Sequence, residues 1–465
     1  MYQFFYFISQ YTSNTCLENI WSVLVFVLVA ILSICFFIWF TYTMWIKWRY
    51  DKLDWERISH NRNAVSSFLY SKSANAQKWW FHANIYHIII DRFNGGWTTP
   101  PKYDKQKPDE YFGGTLKGIK EKLGYIKGQG FNTIMISPVF QSKAYHGYHT
   151  LNYSKIDDNY GSWRDFEKLV KAVHDKGMKI ICDYVPNHCH KENHLFQGAL
   201  QFKNGKRDWF CFKDSTSLVY TPFLHYKELP KFNLLNKDAA EYMITVAEKL
   251  VSYGVDGLRI DHVVGVPFEF LEKLMKRVKL INPNVFVFGE ATTNGIVGDE
   301  YEQLYYKTNR MRELDQKKFL SKDELQTQYI NLLDGILDFE FRDIMISELN
   351  GGKHFTGNAN LIQRLRKHFE HYPSSYTPIL FLDNHDTNRI LFLCNGDKAL
   401  MDEVIRFMCA LPYPYCIYYG TEQYMTNKND IEKKGCAAYS DLEVREGADW
   451  SGKFGKLNLS HRSFI

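Results

Sequence analysis

Three acidic side chains, Asp261, Glu290 and Asp386, close short segments that follow one another in a fixed order: Gly257-Leu-Arg259-Ile-Asp261, Gly289-Glu290 and Leu382-Asp-Asn384-His385-Asp386. A fourth segment, Asp183-Tyr-Val-Pro-Asn187-His188, precedes them. Breaking a glycosidic bond passes through an oxocarbenium-like state. It needs one carboxylate to attack or stabilise C1 and a second, protonated carboxyl for the leaving oxygen. Adjacent strand ends can hold two such groups about 5 Å apart, the spacing associated with retention of configuration. Arg259 lies two residues before Asp261, hence on the same strand face, where it would keep a neighbouring acid ionised. Taken singly, each segment has an ordinary reading, such as a strand followed by a helix cap or a strand carrying a salt bridge. Their joint order at strand ends is what points to chemistry.

The elements that must position these groups are legible as apolar runs. Strands are expected at 84–90, 131–137, 178–184, 255–261, 285–290, 336–341, 378–383 and 416–420, with helical spacing between most of them, as at 163–176, 239–253, 268–278 and 398–410. Eight strand–helix units predict a (β/α)8 TIM barrel over 81–188 and 236–455, with the acids at the face where such barrels carry their chemistry. Two connections are too long for turns. Residues 189–235 predict a small excursion domain after the third strand, and the charged stretch 296–333 predicts a solvated helical excursion after the fifth.

The chain has 465 residues, 57 basic against 52 acidic and a net charge of +5, with no long basic run, so nucleic acid is not an expected partner. Its nine cysteines are odd in number and contain no CxxC pair, which argues against a zinc site or a disulfide framework. Residues 20–46 carry no charge and are long enough to span a bilayer, which predicts a single-pass transmembrane helix, a membrane localisation and the lipid bilayer as a partner. Residues 1–19 then form a tail, 47–80 a polar juxtamembrane linker and 456–465 a C-terminal tail. Lys47, Arg49, Lys52 and Arg57 favour the cytosolic side for the barrel, although a large folded domain can override that bias.

With these motifs in place, the chain resembles the α-amylase family, glycoside hydrolase family 13, over about residues 82–455. Further matches are Asp91-Arg92-Phe93, Ala144-Tyr145-His146-Gly147-Tyr148, Leu229-Pro230-Lys231-Phe232-Asn233 and Tyr419-Gly420-Thr421-Glu422. The resemblance implies that Asp261 is the nucleophile, Glu290 the general acid/base and Asp386 the acid that grips the sugar's 2- and 3-hydroxyls. It also implies Tyr148 as a stacking platform, His146, His188, Arg259 and His385 as polar contacts of the sugar, and Asp183 and Asn187 as braces of the cleft. The implied substrate is an α-glucan or oligosaccharide joined by α-1,4 bonds, cleaved by double displacement, with transglycosylation as a close variant.

The departures from the family pattern carry their own expectations. Many amylases have a calcium-holding acid where this chain has Lys231, and an ammonium cannot ligate a hard cation. No cofactor is therefore expected, and a structural calcium is disfavoured, although Asn187 is retained. Lys at this place is similar to the neopullulanase and cyclomaltodextrinase branch, which acts on small α-glucans and cyclodextrins. Val264 and Gly265 stand where many amylases place a Lys-His pair, which implies a less polar acceptor side. Arg445-Glu-Gly-Ala-Asp449-Trp450 resembles the family's final loop, and the short tail after it suggests a chain that is truncated or stops early. A second expectation, from another class, is a catalytically inactive membrane partner resembling the heavy chains of amino-acid transporters. The retained acid set weighs against it.

Overall fold

A computed structural model of the chain describes residues 78–292, 322–350 and 359–452, apart from 204, 225, 412 and 434–438. The chain divides into two compact units, Met1–Ser67 and Phe68–Ile465, and all described residues belong to the second.

The eight expected strands form and close on one another. In chain order they are β1 (Asn84–Ile88), β2 (Thr133–Ile136), β3 (Lys179–Tyr184), β4 (Gly257–Ile260), β5 (Phe286–Gly289), β6 (Gly335–Leu337), β7 (Thr377–Phe381) and β8 (Tyr415–Tyr418). Each pairs in parallel with its sequence neighbours, and β1 pairs with β8 to seal the barrel. Alternate side chains divide the strands' apolar content. Ile85, Met135, Ile181, Phe286, Phe288, Leu337, Ile379, Phe381 and Cys416 fill the interior, while Tyr86, Ile134, Ile180, Leu258, Val287, Ile336 and Leu380 face the helix layer. Both faces are buried, which explains why the sequence shows continuous apolar runs rather than alternation.

The intervening helices follow local rules. Helix Trp163–Asp175 starts at a capping box in which the Ser162 hydroxyl accepts from Asp165 N and the Asp165 carboxylate accepts from Ser162 N. It buries Phe166, Leu169, Val170 and Val173 on one stripe.

Several boundaries differ from expectation. The sixth strand stops at Leu337, and Phe339 already opens helix Phe339–Asn350, because the Asp338 carboxylate accepts from Phe341 N and caps that helix. Trp79 and Trp80, expected at the end of a polar linker, belong to the barrel: Trp80 stacks on Phe286 with centroids 4.9 Å apart and plugs the N-terminal mouth. A hairpin of Phe140–Ser142 with Thr150–Ile156 interrupts the connection after β2, where sequence gave no strand signal.

In the expected excursion, helix His194–Leu200 and the antiparallel pair Pro222–Phe223 with Tyr226–Pro230 gather around Phe196, Phe210 and Phe232. Most of the expected charged excursion, 296–321, lies outside the described residues, and its described end includes helix Lys322–Thr327.

Among the described residues no helix is long and apolar enough to cross a membrane. The transmembrane helix, membrane localisation and bilayer partner expected from residues 20–46 are corrected on that finding, and the segment itself lies outside the described residues. An apolar run measures only the transfer preference of its side chains; a span also requires a helix that satisfies its own backbone.

Candidate active site

Asp183, Arg259, Asp261 and Glu290 leave the C-terminal ends of β3, β4 and β5, three neighbours in the barrel, and converge on a single guanidinium. Parallel register decides this. Asp183 pairs with Arg259, and Ile260 with Gly289, so the residues just beyond the strands reach one level. Arg259 Nη1 donates to Asp261 Oδ1 at 2.8 Å and to Asp183 Oδ2 at 2.8 Å, while Nη2 pairs with Glu290 Oε1 at 2.6 Å. Glu290 Oε2 also accepts from His262 N at 3.1 Å. Gly289 admits this approach, because a Cβ there would meet Val263 at 2.8 Å.

Burial sets the protonation states. Desolvation pushes Asp183 up to about 6 against the pull of Arg259. Desolvation, with the charges of Glu290 and Asp386, pushes Asp261 up to about 7 despite Arg259. Glu290 is raised by desolvation as well, with Arg259 opposing. The Asp261–Glu290 pair therefore retains a proton toward neutrality and titrates as a unit. Asp386, beyond β7, is different. Desolvation opposes its ionisation, but His385 Nε2 at 2.9 Å and Arg445 Nη2 at 2.6 Å outweigh it and hold the carboxyl well below the ordinary range. Its side chain remains half-exposed to the cleft.

The hairpin after β2 supplies the next wall. Tyr148 donates its hydroxyl to Asp183 Oδ2 at 2.7 Å, and its ring stacks on His385 at 5.2 Å with planes 8° apart. His146 Nδ1 accepts from Tyr148 N at 3.2 Å, and burial holds this imidazole well below its usual value. Gly147 between them has φ +88°, and a Cβ there would lie 2.4 Å from the Pro138 carbonyl oxygen, so only glycine makes the turn that aims both rings. His188, also lowered by burial, stacks on Phe223 at 4.4 Å, and its Nδ1 meets Asn187 Nδ2 at 3.3 Å. The contacts join the expected site residues in two groups: Asp183, Asp261 and Glu290 around Arg259, linked through Tyr148 to His146, His385 and Asp386, and His188 with Asn187 toward the excursion.

Two neighbours of the cleft were not singled out from sequence. Phe223, from the excursion hairpin, packs edge-on to His262 at 4.7 Å and leads outward to Tyr226. An isolated aromatic in an irregular loop carries no periodic signal. Arg445 donates to both the His385 carbonyl oxygen at 2.8 Å and Asp386. The final-loop motif containing it was visible, but its partner stands 59 positions earlier in the chain. Val264, expected on the acceptor side, is instead buried in the core.

The residues at the calcium-related place do not fit a hard cation. Lys231 is buried, and its ammonium donates to the Gly265 carbonyl oxygen at 2.7 Å, while the adjoining backbone ties Phe232 N to Asn187 O at 2.9 Å. The Lys231 side chain already joins the excursion to the loop beyond β4.

Comparison with known proteins agrees with this geometry. Residues 66–453 match the family described as "Alpha amylase, catalytic domain". The chain is 32% identical over 388 residues to Alpha-amylase 2 of Dictyoglomus thermophilum, an alignment covering 82% of this chain and 60% of that protein. It is 27% identical over 376 residues to a cyclomaltodextrinase of Geobacillus thermopakistaniensis, covering 76% and 58%. A solved Anoxybacillus α-amylase shares the fold, with a TM-score of 0.64 and 24% identity over 82% of this chain and 77% of that one. The chain spans about 60% of the length of the curated relatives it matches.

Proposed function

Because this chain belongs to the α-amylase family, within the branch that includes cyclomaltodextrinases and neopullulanases, we propose that it is a retaining glycoside hydrolase that cleaves α-1,4-glucosidic bonds in malto-oligosaccharides or cyclodextrins. One observation carries the reading: Asp261 and Glu290, at the ends of adjacent strands, occupy the two ends of the buried Arg259 guanidinium.

In the proposed reaction, Glu290 gives its proton to the glycosidic oxygen as an Asp261 carboxylate oxygen attacks C1 from the opposite face, leaving a glycosyl ester and a free alcohol. Glu290, now a carboxylate, takes a proton from water, whose oxygen attacks C1 and releases Asp261. A sugar hydroxyl taking the place of that water gives transglycosylation. Arg259 favours the ionised form of Asp261 before attack and of Glu290 after proton transfer. Asp386, kept anionic by His385 and Arg445, accepts hydrogen bonds from the ring hydroxyls. Tyr148, on its His385 backing, offers an apolar face to the sugar, with His146 and His188 as polar contacts. Phe223 extends the apolar wall toward the acceptor side.

The test is incubation of the full chain with maltotriose, β-cyclodextrin and pullulan, comparing wild type with Asp261→Asn. Turnover by the wild type alone is expected; equal product release from both would remove Asp261 from its role. The inactive-partner expectation finds no support in the relatives, which are named as enzymes, and it would regain ground only if no substrate were turned over at all.

A further inference from the structure

In the helix layer outside β6, three side chains from separate elements converge. Asp323 stands on helix Lys322–Thr327, His368 on helix Ala359–Phe369, and His371 on the turn that follows it. One oxygen of Asp323 and one ring nitrogen of each histidine all lie within 4.8 Å of one another. His368 Nδ1 is 2.7 Å from Asp323 Oδ1, and His371 Nδ1 is 3.5 Å from Asp323 Oδ2.

A second layer orients this set. His368 Nε2 lies 2.8 Å from Asp338 Oδ2. Asp338 is wholly buried and accepts at its other oxygen from Gln326 Nε2 and from Phe341 N. Leu337 and Phe339 belong to the barrel interior, so Asp338 between them faces the helix layer. A fixed carboxylate on Nε2 selects the tautomer with its hydrogen there and turns the Nδ1 lone pair toward Asp323 and His371, the carboxylate–histidine arrangement that supports metal ligation.

We propose that Asp323, His368 and His371 bind a divalent transition ion of the zinc class, with Asp338 orienting His368. Two imidazoles and one carboxylate suit zinc or cobalt and are too few and too nitrogen-rich for calcium. The fourth position is left to water, since His371 is exposed. The ion-pair arrangement needs only Asp323, His368 and Asp338; His371 facing the same carboxylate from the open side is what favours a metal.

The test uses the full chain, stripped with a chelator and desalted, then titrated with zinc chloride. His371→Ala changes an exposed side chain, and equal melting temperatures of the two zinc-free proteins would show that folding is intact. Calorimetry is expected to find one more zinc equivalent on wild type than on the variant, or affinity for that equivalent about tenfold or more weaker in the variant. Zinc should raise the melting temperature of the wild type more than that of the variant, and calcium should do so for neither. Cobalt(II) should give the intense visible bands of a four-coordinate site on wild type only. Equal zinc stoichiometry, affinity and thermal shift in both proteins would overturn the proposal and leave an imidazolium held between two carboxylates.

Discussion

Arg259 pairs with Glu290 through Nη2 at 2.6 Å while its Nη1 donates to Asp261 at 2.8 Å, so one buried cation neutralises the ends of two neighbouring strands. Three carboxylates in all, counting Asp183, depend on that charge. Removing it leaves acids without compensation in a desolvated site.

Arg259→Leu is therefore expected to destabilise the fold by about 3–5 kcal/mol at neutral pH. Without the guanidinium the folded-state values of Asp183, Asp261 and Glu290 rise further above their unfolded values. The folded protein then binds more protons than the unfolded one, and its stability falls as pH rises through that window. The deficit should shrink as pH is lowered toward about 3, below the unfolded values of about 4, where the carboxyls are largely protonated in both states. Denaturant midpoints of variant and wild type across that range check the sign; a deficit independent of pH would refute it.

The roles of the two acids separate by leaving group. Asp261→Asn should lower kcat/KM by about 100-fold to 10,000-fold or more on every substrate, since it removes the attacking oxygen. Glu290→Gln should lose comparably on maltotriose but far less on α-glucosyl fluoride, whose leaving fluoride needs no proton. Equal losses on both substrates would take the acid role away from Glu290.

The rate should pass through a maximum with pH. Because the Asp261–Glu290 pair is raised, with Asp261 at about 7, kcat/KM should fall on the acid side as the second carboxyl protonates and on the alkaline side as the shared proton leaves. With α-glucosyl fluoride, Glu290→Gln should lose this profile's alkaline limb. A profile flat across the neutral range would contradict the pairing.

Lys231 is expected to do the work of a structural cation. Exhaustive treatment with a chelator should leave maltotriose turnover unchanged, and Lys231→Met should cost about 1–3 kcal/mol by leaving the buried Gly265 carbonyl oxygen without its donor. Loss of activity on chelation, restored by calcium alone, would overturn this.

Arg445→Ala should act through Asp386. Asp386 would lose a charged partner, and KM for maltotriose should rise; the melting temperature should fall as well, because Arg445 is buried and also holds the His385 carbonyl oxygen and Asp441. Unchanged kinetics would remove Arg445 as a positioning residue.

The amino-acid sequence by itself determined the repeating strand–helix pattern and the acids that close it. Strand burial and helix amphipathicity are local periodic properties, so β1 to β8, Asp183, Asp261, Glu290 and Asp386 could all be placed along the chain. Only the tertiary structure decided which of them share a charge. That depends on the register that levels β3 with β4 and β4 with β5, and on the Gly147 turn that stacks Tyr148 against His385. The same holds for Arg445 on Asp386, for Phe223 beside His262, and for Asp323, His368 and His371 in the helix layer. These contacts join residues from separate elements. Periodicity reports which face a residue takes within its own element, whereas barrel closure and loop packing choose its neighbours.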